Sequence, residues 1–199
     1  MMSETSKNAG DRRSFFRAAA AKMLGPVSDF IEERTAPEYR PIYLRPPGAI
    51  DEAAFLQTCR QGGACVQACP ANAIFSLAEQ SGVARGTPVI DPDAAACVVC
   101  TDLACTHACP SGALLPIDRP RDIRMGVAEV YAPLCLRQKN EACTICVEQC
   151  PLGESAILFT DDGPPHVLAE GCVGCGVCQF YCPTSPKAIT VRPKTEVAM

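Results

Sequence analysis

The stretch CVGCGVCQFYCP, residues 172–183, carries four cysteines spaced C-x2-C-x2-C-x3-C, with a proline directly after the last. Cys172, Cys175 and Cys178 can wrap one compact inorganic core if the backbone loops around it and turns N–H groups towards the sulfurs. The fourth thiol, Cys182, then points away behind a short helical turn, and Pro183 fixes φ and redirects the chain. Such a run gives its last cysteine to a different core, so it needs a companion run elsewhere in the chain.

The Cys-Pro dipeptide recurs at Cys69-Pro70, Cys109-Pro110, Cys150-Pro151 and Cys182-Pro183, with proline spacings of 40, 41 and 32 residues. Each copy leads into a short turn and then an alanine with an aliphatic neighbour: CPANAI, CPSGAL, CPLGESAI and CPTSPKAI. The repeat therefore extends beyond its cysteines. The second run places Cys97, Cys100, Cys105 and Cys109 as C-x2-C-x4-C-x3-C-P, and the third sets Cys135 well ahead of Cys143, Cys146 and Cys150. The first has only Cys59, Cys65 and Cys69.

A disulfide scaffold fits badly, because the cysteine count is fifteen and the prolines recur at a fixed offset. Structural zinc wants tetrahedral sets built from C-x2-C pairs and has no use for the longer run. The last run has the spacing of bacterial [4Fe–4S] ferredoxins, so iron–sulfur clusters are the expected cofactors. Glycines 171, 174 and 176 are interleaved with cysteines rather than framed by a strand and a helix, which excludes a nucleotide-binding loop.

Aligned on its own Cys-Pro, the first run has Gly62 where the regular pattern has its second cysteine. Four cubes would need one more thiolate than the fifteen present, and the deficit falls at one corner. The expected complement is three [4Fe–4S] clusters plus one [3Fe–4S] or labile [4Fe–4S] cluster, with an empty site as the third possibility.

With these runs in place, the chain from LRPPGAIDEAAFLQTC at 44–59 to about residue 193 resembles the ferredoxin-type proteins of the periplasmic nitrate reductase and methylamine-utilisation systems, the NapG/MauM group. RPPGA at 45–49, GTP at 86–88, RMGVAEV at 124–130 and the long gap after Cys135 carry the resemblance beyond the cysteines. It implies an electron carrier between a membrane quinol-oxidising subunit and a soluble redox partner. It also implies nested pairing of the runs, first with fourth and second with third. Cys69 would then join Cys172, Cys175 and Cys178; Cys150 would join Cys97, Cys100 and Cys105; Cys109 would join Cys135, Cys143 and Cys146; and Cys182 would join Cys59 and Cys65. Spacing alone also admits sequential pairing. Gly62 departs from the group's pattern.

A second departure lies at the N-terminus. DRRSFFR at 11–17 resembles a twin-arginine export signal, but Lys22, Asp29, Glu32 and Glu33 interrupt the apolar stretch that should follow. An amphipathic helix with Phe16, Ala19, Ala20, Met23 and Leu24 on one face reads as well, suited to docking on a partner or a membrane surface. The expected location is cytoplasmic at a membrane, with periplasmic export as the alternative. The formal charge of −4 has no clustered Lys and Arg to neutralise phosphates, which argues against nucleic acid. His107 and His166 read as surface residues, and no catalytic triad or nucleotide fingerprint presents itself.

The sequence thus predicts an α+β protein of two ferredoxin-like iron–sulfur modules, residues 49–94 with 164–192 and residues 95–163, after an N-terminal helical or extended segment over 1–48 and before a tail at 193–199. It is read as a non-catalytic electron-transfer subunit, with a sensor whose three-cysteine cluster changes composition as the rival reading. Strands are expected in HVLAE and KAITV, and a metal-free chain should be largely unstructured.

Overall fold

The alanine and aliphatic residue that follow each Cys-Pro are Ala73-Ile74, Ala113-Leu114, Ala156-Ile157 and Ala188-Ile189, and all of them are buried. The repeat is therefore a packing unit: a thiol, a turn, then two side chains that anchor the turn in the core. The computed structural model describes residues 42–160 and 162–194. The twin-arginine-like stretch and the expected N-terminal helix lie outside the described residues.

Helix α1 (Glu52–Thr58) starts where Asp51 Oδ1 accepts the Ala54 N–H at 2.8 Å and buries Phe55 completely. That burial contributes about 2 kcal/mol. Helices α2 (Ala64–Ala68), α3 (Ala104–His107), α4 (Ile145–Glu148) and α5 (Val177–Tyr181) each carry, at their second position, the cysteine four residues before that of Cys-Pro. None is long enough to persist alone, so each depends on what it packs against. Three of them start from a left-handed residue: Gly63, Leu103 and Gly176, with φ of 70°, 43° and 84°. Glycine is required in the fourth run, because a Cβ on Gly176 would stand 2.7 Å from Pro92 and one on Gly174 2.4 Å from the Gly126 nitrogen.

Two equivalent units follow from the strand pairing. In the first, strand β1 (Ile74–Ser76) pairs antiparallel with β2 (Pro88–Ile90), forming the connection between the first and second runs. In the second, β4 (Ile157–Leu158) pairs with β5 (His166–Val167) between the third and fourth. The residues flanking each unit also meet. Ala49, before the first run, bridges Leu114, after the second, and β3 (Gly126–Val130) pairs antiparallel with β6 (Ile189–Pro193) around the other two runs. HVLAE and KAITV do contribute strands, β5 and β6. Helix α2 packs on α3 and α4 on α5. The modules expected at 49–94 with 164–192 and at 95–163 would each take part of both hairpin-linked units.

Two polar residues tie the architecture together. Arg45 is buried, with two hydrogen bonds to the Glu52 carboxylate at 2.8 and 2.5 Å, and it donates to Thr87 Oγ1 at 2.9 Å and to the Pro88 carbonyl at 2.8 Å. Its guanidinium lies over the Phe55 ring, 4.6 Å from the centroid. The RPPGA and GTP segments are thus joined through one side chain. Gln179 of α5, also buried, donates to Asp93 Oδ1 at 2.9 Å and accepts the Val191 N–H at 2.8 Å, linking the second unit to the segment ahead of Cys97.

Candidate metal centres

All fifteen cysteines are free thiols, and they stand around four voids of similar size. Cys59, Cys65 and Cys109 surround one of about 420 Å³, and Cys69, Cys97, Cys100 and Cys105 one of about 340 Å³. Cys150, Cys172, Cys175 and Cys178 ring the third, about 370 Å³, while Cys135, Cys143, Cys146 and Cys182 ring the fourth, about 390 Å³. Among the described residues, no three His, Cys, Asp or Glu side chains converge as a single metal ion would require. The thiols are spread around spaces instead.

Each run directs its leading cysteines to one void and the cysteine of its Cys-Pro to the neighbouring one. Cys69 crosses to the second run and Cys109 returns to the first; Cys150 crosses to the fourth and Cys182 returns to the third. The runs are grouped sequentially, and the nested pairing implied by the family resemblance is not what the structure has. Within each pair a hairpin, β1–β2 or β4–β5, reverses the chain between the two runs and brings the second back beside the first. Gly62 lines the three-cysteine void, as the alignment on Cys-Pro predicts.

The cysteine sulfurs receive the donors that a bound thiolate needs. Backbone N–H groups of Ala73, Leu114 and Ala128 donate to Sγ of Cys69, Cys109 and Cys172 at 3.3, 3.4 and 3.4 Å. The hydroxyls of Ser111 and Thr184 lie 3.5 and 3.3 Å from Sγ of Cys109 and Cys182. Two of these N–H groups belong to the alanine–aliphatic pairs, whose recurrence after Cys-Pro was visible in the sequence. The backbone donors themselves were not, because an N–H leaves no mark in residue identity.

Burial, supplemented by neighbouring thiols, pushes Cys97, Cys105 and Cys175 up to about 12 and Cys146 to about 11, and it raises Cys178 as well. Without a cation these groups hold their protons. A metal that binds them must displace those protons, and its charge is what makes the thiolates tolerable in such surroundings. Cys109 and Cys182 behave differently. Burial pushes them up, but the Leu114 N–H and Ser111 hydroxyl for Cys109, and the Thr184 hydroxyl and N–H for Cys182, outweigh it, so both thiols end below their ordinary value. The donor set and the voids therefore fit polynuclear iron–sulfur groups.

The four voids form a row. Cys65 lies near enough to contribute to raising Cys105, Cys97 does the same for Cys175, and Cys146 for Cys178. Between the second and third voids the backbone joins directly, with the Cys97 N–H donating to the Cys175 carbonyl at 3.0 Å. The three-cysteine void is at one end and the Cys135 set at the other. His107 is exposed on α3, and His166 is exposed in β5.

Reciprocal exchange of cysteines between paired runs, around cluster-sized voids, is the arrangement of a ferredoxin. Residues 58–113 match the family model of the 4Fe-4S dicluster domain. The methylamine utilization ferredoxin-type protein MauM of Paracoccus denitrificans is 40% identical, over 89% of this chain and 84% of its own length. The ferredoxin-type protein NapG of Escherichia coli is 35% identical, over 96% and 90%. The ferredoxin-type protein NapF of the same organism is 32% identical, over 75% and 84%. The chain belongs to the MauM and NapG family of ferredoxin-type iron–sulfur proteins, and its class of function is electron transfer.

Proposed function

We propose that the chain relays single electrons along a row of four clusters, between a quinol-linked donor at a membrane and a soluble redox partner. The observation that carries this reading is the linear succession of four thiol-ringed voids, joined at its middle by the hydrogen bond from Cys97 to the Cys175 carbonyl. Bound clusters would supply one-electron centres. The fifteen cysteines would hold them, the Ala73, Leu114 and Ala128 N–H groups would offset their negative charge, and apolar residues such as Leu103, Val173 and Ile189 would keep water from them. The donor loses one electron and the acceptor gains it, with no bond made or broken in the chain.

The names of the relatives, a ferredoxin-type protein of methylamine utilization and NapG, support a place in a larger oxidoreductase system. No helix among the described residues is long and apolar enough to cross a membrane. The complement we assign is three [4Fe–4S] clusters in the four-cysteine voids and a [3Fe–4S] or iron-labile [4Fe–4S] cluster at Cys59, Cys65 and Cys109.

Low-temperature EPR of anaerobically purified protein, with iron and sulfide analysis, tests this directly. A three-iron signal in the oxidised sample, followed on stepwise reduction by [4Fe–4S] signals, is the expected result. Iron and sulfide for three cubes, with no three-iron signal, would remove the first site from the relay.

A further inference from the structure

The three four-cysteine voids are lined by thiols and mainly apolar side chains, with Arg137 and Thr184 beside the Cys135 set. The first differs in having Arg60, Gln61, Ser76 and Ser111 around it, and Arg60 is the only charged residue among its described lining. Arg60, Gln61 and Gly62 are exposed, and a Cβ built on Gly62 would meet no atom within 4 Å. The missing corner therefore opens to solvent through the Arg60–Gly62 loop.

Among the described residues lining the void, no further thiol or charged oxygen stands ready to close that corner. No carboxylate, imidazole or further thiol lines the void among the described residues. The Ser111 hydroxyl is already placed at 3.5 Å from both Cys109 Sγ and the Ala113 nitrogen. Ser76, which ends β1 opposite Pro88, and Gln61, whose Oε1 lies beside Gly86, are the remaining side-chain oxygen donors of the lining. The void also terminates the row, where an external molecule can reach it without disturbing the other three sites.

From this we infer that the first site takes its fourth ligand from outside the chain, as a small thiolate that enters through the Gly62 gap and is drawn by Arg60. Iron bound by three thiolates favours another soft sulfur donor, and a guanidinium at the mouth favours an anion. Binding exchanges one solvent ligand for the thiolate at constant oxidation state, and the thiol's proton passes to solvent. The inference rests on the proposed cluster at Cys59, Cys65 and Cys109 and concerns its four-iron form, since a three-iron cluster has no iron at the open corner.

The test is a titration of 2-mercaptoethanol into protein loaded with iron and sulfide and then reduced, followed by EPR. The signal of the first site is identified beforehand as the one that disappears in Cys65→Ala. A shift of that signal alone is expected, abolished in Gly62→Cys, retained in Ser76→Ala, and displaced to several-fold higher thiol concentration in Arg60→Ala. A first-site signal that ignores the thiol, or that still responds in Gly62→Cys, overturns the inference while leaving the relay intact. A response gained only in Ser76→Ala would show that Ser76 fills the corner and would equally overturn it. Absence of any first-site signal, with iron and sulfide for three cubes, would overturn both the inference and the four-cluster assignment.

Discussion

Cys109 belongs to the second run by sequence but shares a void with Cys59 and Cys65 of the first, and its Sγ accepts the Leu114 N–H at 3.4 Å. This crossing makes sequential and nested pairing experimentally separable. Replacing Cys109 with Ala should abolish the three-iron signal and leave the [4Fe–4S] signals in place. Replacing Cys182 should do the reverse, removing one [4Fe–4S] signal and sparing the three-iron one. Loss of the three-iron signal in Cys182→Ala instead would restore the nested arrangement. EPR of the two variants, with iron counted per chain, decides it.

Gly62→Cys should complete the first site. The position lines the void and has open space around its Cβ, so the new side chain can be accommodated without moving a neighbour. The expected outcome is disappearance of the three-iron signal, gain of one iron per chain, and an additional reduced [4Fe–4S] signal. An unchanged three-iron signal would mean that the loop holds residue 62 away from the corner.

Removing iron should unfold most of the described chain. The helices around the cysteines are four or five residues long and the strands two to five, too little to stand without the groups they enclose. Chelation followed by circular dichroism is expected to show loss of ordered structure, and reloading with iron and sulfide its recovery. A cooperative melting transition in fully metal-free protein would contradict this.

Arg45→Ala should weaken the first unit specifically. The substitution leaves the Thr87 hydroxyl and Pro88 carbonyl without their buried donor and frees the half-exposed Glu52, a loss of about 2 kcal/mol for charge-assisted bonds of this kind. The midpoint for bleaching of cluster absorbance in guanidinium should fall. The first-unit EPR signals should fade before those of the second. Equal loss in both units would show that Arg45 acts on the whole fold.

The alternation of thiols, prolines and alanine–aliphatic pairs made the four groups of thiols and much of the core legible in the sequence. Ala73, Ala113, Ala156 and Ala188 sit where the repeat places them. The vacancy at Gly62 was legible for the same reason, since a register kept by Cys59, Cys65 and Cys69 exposes a single absent member. Pairing was not legible, because spacing constrains a run locally while the choice of companion depends on β1–β2 and β4–β5, strands of two or three residues with little periodicity to read. The Arg45–Thr87 contact was hidden for a related reason. Its residues are 42 positions apart, and although both stand in recognisable segments, RPPGA and GTP, nothing in either names the other as partner.

The crossing of consecutive runs has a consequence for biogenesis. A ribosome releases the chain from its N-terminus, and a domain can fold once its own segment is free. Every cysteine around the first two voids lies between Cys59 and Cys109, and the Ala49–Leu114 bridge closes that unit. With the proposed clusters, the first half would have all its ligands before the second is translated, where nested pairing would make the first run wait for Cys182.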